Sequence, residues 1–266
     1  MLWLLQNNYV EGMTGKLAWA LRRTSRPMHD FSVVPGEGLP AFPIEPKEPH
    51  FFYGSTGMLQ QLSATQWGSY LFGDALALDQ RHWQANMGQR LLNATAEFMD
   101  LDAVKSRVQK YPKDSFFVRP VTAQKAFAGH VVRNGDLSAI FKGRNGQAKL
   151  QSGSLLLAVS PVVSNLAGEY RFVVHNGEIR LGSRYRENGN LAVSPTVPRD
   201  IWTAAQALVK GWMPATFIVV DVAVLTNGEL RVIEFNSVHS SGLYDIDCEC
   251  FAELVEHATL RQAVAN

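Results

Sequence analysis

The stretch TFIVVDVAVLTNGELRVIEFN contains two carboxylates and an amide inside apolar runs, at Asp221, Glu234 and Asn236. Two apolar, β-branched runs flank Asn227-Gly228, a dipeptide that favours a two-residue hairpin turn with positive φ at both positions. Such a turn places Asp221 directly opposite Glu234, with Asn236 on the same face. Oxygen ligands of this kind suit Mg²⁺, which commonly uses one or two carboxylates together with nucleotide phosphates.

Facing carboxylates inside runs of Ile and Val repel each other unless something compensates their charge. A divalent cation between them is one solution. A raised pKa on one carboxylate, or a nearby Lys or Arg that fills the gap, is another. The hairpin alone is compatible with all of these, so the remainder of the chain has to be considered.

Composition narrows the class of protein. The chain has 266 residues, of which 46% are hydrophobic and 18% charged, as expected of a soluble globular protein with two domains. A net charge of +1 argues against broad binding to nucleic acid or to a membrane surface. The apolar run at Met1–Leu5 is too short for a signal peptide or a membrane span. Cys248 and Cys250 are expected to be reduced thiols in a cytoplasmic protein, because a disulfide across one residue is strained.

Residues 1–93 are predicted to form a small α/β domain. Apolar runs predict strands at Leu2–Leu5, Phe31–Val34 and Phe51–Tyr53. Helical patterns begin at Gly12 and after Gly54-Ser55-Thr56-Gly57, so strands and helices alternate as in a parallel sheet with crossovers. The GSTG sequence is interpreted as a strand-to-helix turn or as part of a substrate pocket, since it lacks the spacing of a nucleotide-binding loop.

Residues 94–266 have a different character, with antiparallel strands predicted to dominate. Asn-Gly turns at 134–135, 176–177 and 227–228 each predict a hairpin. Helices are expected at Ala94–Lys110, around Trp202–Trp212 and from about Phe251, and buried strands at Phe116–Arg119 and Ser154–Val159. An α/β first part joined to this second part gives an α+β fold.

The hairpin at Glu169–Tyr185 is predicted to bring two of its arginines to one face. A two-residue turn at Asn176-Gly177 places Arg184 opposite Glu169, so that Arg171 and Arg184 share one face. A plain cross-strand salt bridge between Glu169 and Arg184 is the alternative interpretation.

Arg119 and Lys125 are a second pair of cations. Arg119 ends a buried strand just before Pro120, where a guanidinium normally pairs with a carboxylate or a phosphate. Lys125, on the following link, can reach the same anion as a mobile point charge.

The order of these segments resembles the ATP-grasp superfamily over about residues 115–250. The segments are FVRP, a lysine near a hairpin, a strand ending in a short hinge, EYRFVV and VVDVAV…NGELRVIEFN. The most specific part is an Asp on one strand followed by Glu-x-Asn closing the next. The arginines of EYR and GSRY also resemble the ATP-grasp clade named for two arginines and one lysine. The resemblance implies an ATP-grasp domain over 94–266, with two α+β lobes around the nucleotide, preceded by the α/β domain over 1–93.

The resemblance also implies roles for individual residues. The metal ligands would be Asp221, Glu234 and Asn236, holding one or two Mg²⁺ ions that bridge the phosphates of ATP. Arg119 takes the place of the usual strand lysine, and Lys125 would be a second phosphate ligand. Arg171 and Arg184 would hold the γ-phosphate or the acyl-phosphate formed from it. The backbone of the hinge would meet the adenine edge, at Ala158, Val159, Ser160 and Val162.

The implied reaction is ATP-dependent ligation of a carboxylate to an amine or a thiol through an acyl-phosphate, with release of ADP and phosphate. The expected substrate is an amino acid, a peptide or a protein tail. The polar loop after Asn236 is predicted to meet the acceptor substrate through Ser237, His239, Ser240 and Ser241. The alternatives are a kinase or phosphotransferase on the same fold, and an ATP-binding module without turnover.

Overall fold

A computed structural model describes residues 1–8, 15–34, 37–122, 127–138 and 155–265 of the chain. Lys125 lies outside these described residues, so its role as a phosphate ligand stays a prediction. The described part contains a three-stranded, a four-stranded and a five-stranded sheet. Within it, no helix combines the length and apolar character needed to span a bilayer.

The three-stranded sheet is formed by the N-terminal part of the chain. Its parallel strands lie in the order β2-β1-β3, with bounds β1 Leu2–Gln6, β2 Met28–Phe31 and β3 His50–Tyr53. Helix α1 spans Gly15–Arg23, and α2 spans Thr56–Ser63. The predicted second strand is displaced, since β2 ends at Phe31 where it was expected to begin. The GSTG sequence is a strand-to-helix turn in which the Ser55 hydroxyl caps α2 by accepting from the Met58 N–H at 3.3 Å.

The segment between this sheet and the next consists of 3-10 turns and helix α3, Gln80–Met87. Trp83 and Met87 of α3 pack into the core beneath the five-stranded sheet. Just beyond, the Leu92 N–H donates to the Val232 carbonyl at 2.8 Å, so this segment runs along the outer side of the last strand.

The four-stranded sheet is antiparallel, in the order β4-β7-β5-β6. Its strands are β4 Glu97–Asp100, β5 Phe116–Pro120, β6 His130–Val132 and β7 Leu156–Pro161. Helix α4 spans Leu101–Lys110, so the prediction of helix from Ala94 is wrong over its first part. Asp100 caps α4 by accepting from the Ala103 N–H at 2.8 Å.

The five-stranded sheet is antiparallel, in the order β10-β9-β8-β11-β12. Its strands are β8 Leu166–His175, β9 Glu178–Glu187, β10 Asn190–Ser194, β11 Phe217–Leu225 and β12 Leu230–Asn236. Helices α5 (Arg199–Val209) and α6 (Cys248–Ala265) complete the described elements. Cys248 and Cys250 are free thiols, and Cys250 is exposed.

The two faces of this sheet are covered differently. Val173 and Val219 face one core, shared with the N-terminal sheet, α1 and α6. Phe172 and Val220 face the other core, which contains α3 and α5. Helix α6 packs on the N-terminal sheet, so the last helix of the chain is part of the same core as residues from the beginning of the chain. The predicted domain boundary near residue 93 therefore stays a prediction.

Candidate functional site

The β11–β12 hairpin places Asp221 directly opposite Glu234, as predicted, although the turn differs from the prediction. The turn has three residues rather than two, because the Leu225 N–H pairs with the Glu229 carbonyl at 2.8 Å. Of the two predicted turn residues, Gly228 alone has a positive φ, at +83°. A β-bulge at Ile233 then shifts the register back by one residue. Two departures from the simple hairpin therefore cancel at the carboxylate pair.

The three predicted metal ligands meet on one face of this hairpin. The Asn236 Nδ2 donates to Glu234 Oε1 at 2.9 Å and to Asp221 Oδ2 at 3.4 Å. Asp221 and Asn236 are 2% and 3% exposed, so these polar groups are held inside the protein. The face that carries them is the face whose apolar rows pack against the N-terminal sheet.

Arg171 compensates the charge of Asp221. Its Nε donates to Asp221 Oδ1 at 2.7 Å and its Nη2 to Oδ2 at 2.6 Å, while Nη1 donates to the Gly242 carbonyl at 2.7 Å. Burial by itself lowers the pKa of Arg171, but the adjacent Asp221 carboxylate raises it well above the ordinary value. With every guanidinium nitrogen engaged, Arg171 orients Asp221, and it would have to release a partner before it could contact a phosphate.

Arg119 has the corresponding role for Glu234. Its Nη2 lies 2.7 Å from Glu234 Oε2, and its guanidinium lies over the Trp83 ring at 5.6 Å. Arg119 is on β5 and Glu234 on β12, so this ion pair bridges the four-stranded and the five-stranded sheets. Arginines therefore fill the gap beside both carboxylates, as the alternative interpretation of the hairpin anticipated.

The donor set nevertheless has the chemistry that Mg²⁺ requires. No group of three or more His, Cys, Asp or Glu residues suited to a metal occurs in the described residues, but two carboxylates plus an amide oxygen are a reasonable partial set. The Asn236 amide now directs its nitrogen at both carboxylates, and rotation by half a turn would direct its oxygen there instead. Metal binding would also require Arg119 to leave Glu234, and a nucleotide phosphate offers the guanidinium a replacement partner.

The β8–β9 hairpin has the predicted turn but not the predicted register. Asn176 and Gly177 adopt positive φ values of 53° and 75°. Two β-bulges, one near the turn and one further along, then offset the pairing. Arg184 lies opposite Tyr170 rather than Glu169. The expectation that Arg184 shares a face with Arg171 is therefore wrong, because a one-residue shift sends a side chain to the other side of a sheet.

The environment of Arg184 agrees with that placement. Its Nη1 pairs with Glu187 at 2.5 Å and its Nε donates to the Ala192 carbonyl at 3.3 Å. These partners lie on the same hairpin and on β10, away from Asp221.

Arg186 takes the place predicted for Arg184. It lies opposite Glu169, two residues from Arg171 along β8, so the register puts it on the Arg171 face. Its side chain is exposed and forms no ion pair with the described residues. The sequence GSRYR contains both arginines, and only the position of the second bulge distinguishes them.

Two tyrosines pack against Arg171. Tyr185, the extra residue of the second bulge, stacks on Tyr244 with ring centroids 4.7 Å apart, and Arg171 lies 4.8 Å from the Tyr244 ring. Tyr244 has a φ of +52°, which is rare for a bulky residue. Burial raises the pKa of both phenols, so they are neutral at physiological pH. The stack is a neutral aromatic support for the buried arginine.

The predicted hinge is displaced toward the C-terminus. Ala158 and Val159 lie in the middle of β7 with strands paired on both sides, so their peptide groups are not available to an adenine ring. Ser160 pairs with β5 alone, beyond the end of β4. Val162 is in the connection between β7 and β8, residues 162–165, which links the two sheets. Of the predicted set, Ser160 and Val162 are the residues that are not paired with strands on both sides.

His239 is a packing residue and not a base. It is 1% exposed and stacks on Phe51 at 4.3 Å. Its Nδ1 is 2.7 Å from the Phe52 carbonyl, and its Nε2 accepts from the Phe72 N–H at 3.0 Å. Burial lowers the pKa of His239 to about 4, so the ring is neutral with both nitrogens occupied. With both nitrogens occupied, the ring has no lone pair free for proton transfer, while its contact with the acceptor substrate stays a prediction.

The serines of the same loop are also internal. Ser241 Oγ donates to the Ser237 carbonyl at 2.6 Å, and the His239 N–H donates to Ser237 Oγ at 3.2 Å. Ser240 and Ser241 are 3% and 2% exposed. The loop therefore joins β12 to the N-terminal sheet, and the structure does not bring Ser240 or Ser241 to a surface open to substrate.

Two sheets joined by a short hinge, with an acidic hairpin where they meet, define an ATP-grasp fold. Residues 94–254 match the ATP-grasp domain family that is numbered 2 in the clade named for two arginines and one lysine. The chain belongs to this family. The resemblance to the ATP-grasp superfamily, the clade and the α+β fold class are thereby confirmed.

Solved structures share the fold. D-cycloserine synthetase DcsG has a TM-score of 0.58 at 15% identity, with 97% of this chain and 99% of that chain covered. The ATP-grasp ligase PsnB complexed with a minimal precursor has a TM-score of 0.54 at 10% identity, with 97% and 98% covered. Phosphoribosylamine–glycine ligase from Thermotoga maritima has a TM-score of 0.61 at 14% identity, with 98% and 75% covered. No protein of curated function matches the chain.

Proposed function

We propose that the protein is an ATP- and Mg²⁺-dependent ligase that joins a carboxylate to an amine, forming ADP and phosphate through an acyl-phosphate. The observation that carries this proposal is the convergence of Asp221, Glu234 and Asn236 at the junction of two sheets, where Arg119 reaches them from the opposite sheet. Membership of an ATP-grasp family supports it, as does the similarity in fold to ligases. A cytoplasmic location accompanies the proposal as a prediction.

Each charged residue has a distinct role in the proposed site. Asp221, Glu234 and Asn236 would hold Mg²⁺, which neutralises phosphate oxygens when it is bound. Arg171 keeps Asp221 in one orientation. Arg119 exchanges Glu234 for a phosphate oxygen, and Arg186, which is exposed on the same face, approaches the terminal phosphate.

The chemistry follows from this arrangement of charge. A carboxylate oxygen of the substrate attacks the γ-phosphorus, the bond from that phosphorus to the β–γ bridging oxygen breaks, and ADP leaves. The amine nitrogen then attacks the acyl carbon, phosphate leaves with the bonding electrons, and the nitrogen gives a proton to solvent. The arginines stabilise negative charge as it develops on the transferring phosphoryl group. No covalent nucleophile of the protein takes part.

The structural relatives indicate the range of substrates to examine. PsnB was solved with a precursor peptide, and DcsG is by its name a synthetase of the small molecule D-cycloserine. We therefore propose an amino acid, a peptide or a protein tail as substrate.

The proposal is tested by calorimetry with ATP and Mg²⁺, followed by assays of ADP and phosphate release with amino acids and peptides. Glu234→Gln should weaken Mg²⁺-dependent nucleotide binding by about tenfold or more, because it removes a metal ligand charge. Glu229→Gln is the matched control, since Glu229 is on the same hairpin but pairs with Arg231 near the turn. Normal Mg²⁺-dependent binding in Glu234→Gln would show that the metal face is misassigned. A phosphorylated product instead of free phosphate would identify a kinase.

A further inference from the structure

A small cavity lies beside the proposed metal face. Its volume is about 170 Å³, and its walls come from four parts of the chain. Helix α2 contributes Leu59, the segment before α3 contributes Phe72 and Asp74, and the residues that follow β5 and β12 contribute Thr122 and Ser237. Ser237 directly follows Asn236, so the cavity begins one residue from the predicted metal ligands.

The lining combines apolar walls with a single type of formal charge. Most of the surface is apolar, with three leucines and Phe72 among the lining residues, and the lining also includes hydroxyl and amide groups. Asp74 is the one formally charged side chain among the described lining residues. His239 also borders the cavity, but it is neutral and both of its ring nitrogens are occupied. The cavity therefore favours a ligand with a short apolar chain and a positive charge.

We infer that this cavity binds the amine co-substrate, as a primary ammonium on a short alkyl chain. The inference rests on the proposed function, since a ligase of this class needs one carboxylate and one amine. A carboxylate in the cavity would be repelled by Asp74, whereas an ammonium would pair with it. Asp74 recognises the resting ammonium, and the nitrogen loses its proton to solvent before it attacks.

Size sets a limit on the part of the substrate that enters. An apolar cavity of about 150 Å³ can hold a benzene ring, so a cavity of this volume takes roughly six or seven non-hydrogen atoms. A small amino acid or the terminal portion of a lysine side chain fits this limit, and a large aromatic amine does not. Because any ligand in so small a space lies near both Asp74 and Ser237, an amine held there is adjacent to the metal face.

The test compares two probes of the same shape and opposite charge, n-butylamine and butyrate, by ligand-observed NMR on the full chain. We expect n-butylamine to bind about tenfold more tightly than butyrate, which is the discrimination that one charge pair can supply. Asp74→Asn should abolish that preference while preserving the turn, since the retained oxygen still accepts from the Ala77 N–H as Asp74 Oδ1 does at 2.9 Å. Leu59→Phe should weaken the binding of both probes, because the larger side chain fills the cavity.

Asp247→Asn is the matched control. Asp247 Oδ1 likewise accepts backbone N–H groups, from Glu249 and Cys250, but it lies in a separate groove near α1. The inference is overturned if butyrate binds as well as n-butylamine, if neither binds, or if Asp247→Asn has the same effect as Asp74→Asn. Binding of ATP with Mg²⁺ is measured on the same samples, so that loss of amine binding alone refutes the cavity assignment and loss of ATP binding refutes the proposed function.

Discussion

The two hairpins of the five-stranded sheet hold their charges in opposite ways. On β11–β12 the carboxylates are mostly buried, and each is fixed by an arginine, Asp221 by Arg171 of the adjacent strand and Glu234 by Arg119 of the four-stranded sheet. On β9, Arg184 is partly exposed and pairs with Glu187, whereas Arg186 is exposed and has no ionic partner among the described residues. Buried, paired anions and an exposed cation suit the proposed site, which would keep its metal ligands in place while Arg186 approaches a nucleotide. Four predictions test this difference.

The largest effect should come from breaking the buried pair. Asp221→Asn leaves Arg171 as an uncompensated buried charge, and the free energy of unfolding should fall by about 3–5 kcal/mol. Adding Arg171→Met should recover part of that loss, because the unpaired charge is removed. Urea denaturation of the single and double variants measures both effects. Arg231→Gln, at the partly exposed pair with Glu229, should cost at most about 1 kcal/mol. Equal losses at the two pairs would contradict the contrast between buried and exposed charge.

A pH dependence should arise from the loop that follows β12. The pKa of His239 is about 4 in the folded protein, below the ordinary value of 6.5, so the unfolded chain binds a proton first as the pH falls. The free energy of unfolding should therefore decrease by about 3 kcal/mol between pH 6.5 and pH 4. His50 and His175, whose pKa values burial also lowers, contribute in the same direction.

Denaturation across this pH range should show a shallower slope for His239→Gln than for the wild type. The variant should also be less stable at pH 7, since it loses the ring that stacks on Phe51. An unchanged slope would mean that His239 is not the buried group that titrates.

The assignment of Arg186 rather than Arg184 to the site is tested by replacing each of these two arginines of β9 with alanine. Arg186→Ala should lower kcat/KM for ATP by about 100-fold, the scale of losing one group that stabilises developing charge. Arg184→Ala should change it by no more than about threefold, because Arg184 pairs with Glu187 on the other face. Steady-state kinetics with ATP as the varied substrate measures both. A larger effect of Arg184→Ala than of Arg186→Ala would indicate that the β8–β9 pairing follows the simple hairpin register and that Arg186 is not part of the site.

The smallest effect is expected at Tyr244, whose ring packs against the guanidinium of Arg171. Tyr244→Ala should weaken Mg²⁺-dependent nucleotide binding by about tenfold, the loss expected of one buried cation–π contact. Tyr244→Phe should retain wild-type binding, since the ring remains. Tyr244→Gly also lacks the ring but should be about 1 kcal/mol more stable than Tyr244→Ala in urea denaturation, because glycine accepts a positive φ. Weak binding by Tyr244→Phe would assign the effect to the hydroxyl instead.

The sequence allowed the turns and the site face to be predicted better than the register. Asn176-Gly177 and the runs around Asp221 are local signals, and both hairpins form where they were expected. β-Bulges depend on contacts between strands, so no local sequence pattern indicated where they would occur. At Asp221 the bulge and the longer turn cancelled, whereas on β9 two bulges added their shifts, and Arg186 was missed.

Elements that depend on distant partners were also missed. Strand β4, with the sequence EFMD, lacks β-branched residues and forms because β7 pairs with it. The polar sequence SVHSS after Asn236 suggested an exposed loop, but its serines and His239 are buried by the N-terminal sheet. Polarity indicates exposure only when no other part of the chain supplies hydrogen-bond partners.

The contact between Leu92 and Val232 has a consequence for self-association. A free sheet edge offers its peptide groups to another chain, and charged or irregular strands usually guard it. Here the segment at Leu92 occupies part of the outer edge of β12, two residues from the predicted metal ligand Glu234. At the opposite edge, β10 exposes Leu191 and Val193 but is five residues long with an irregular register. The sheet that carries the site is thus protected from strand addition on one side by its own chain and on the other by the short length of its last strand.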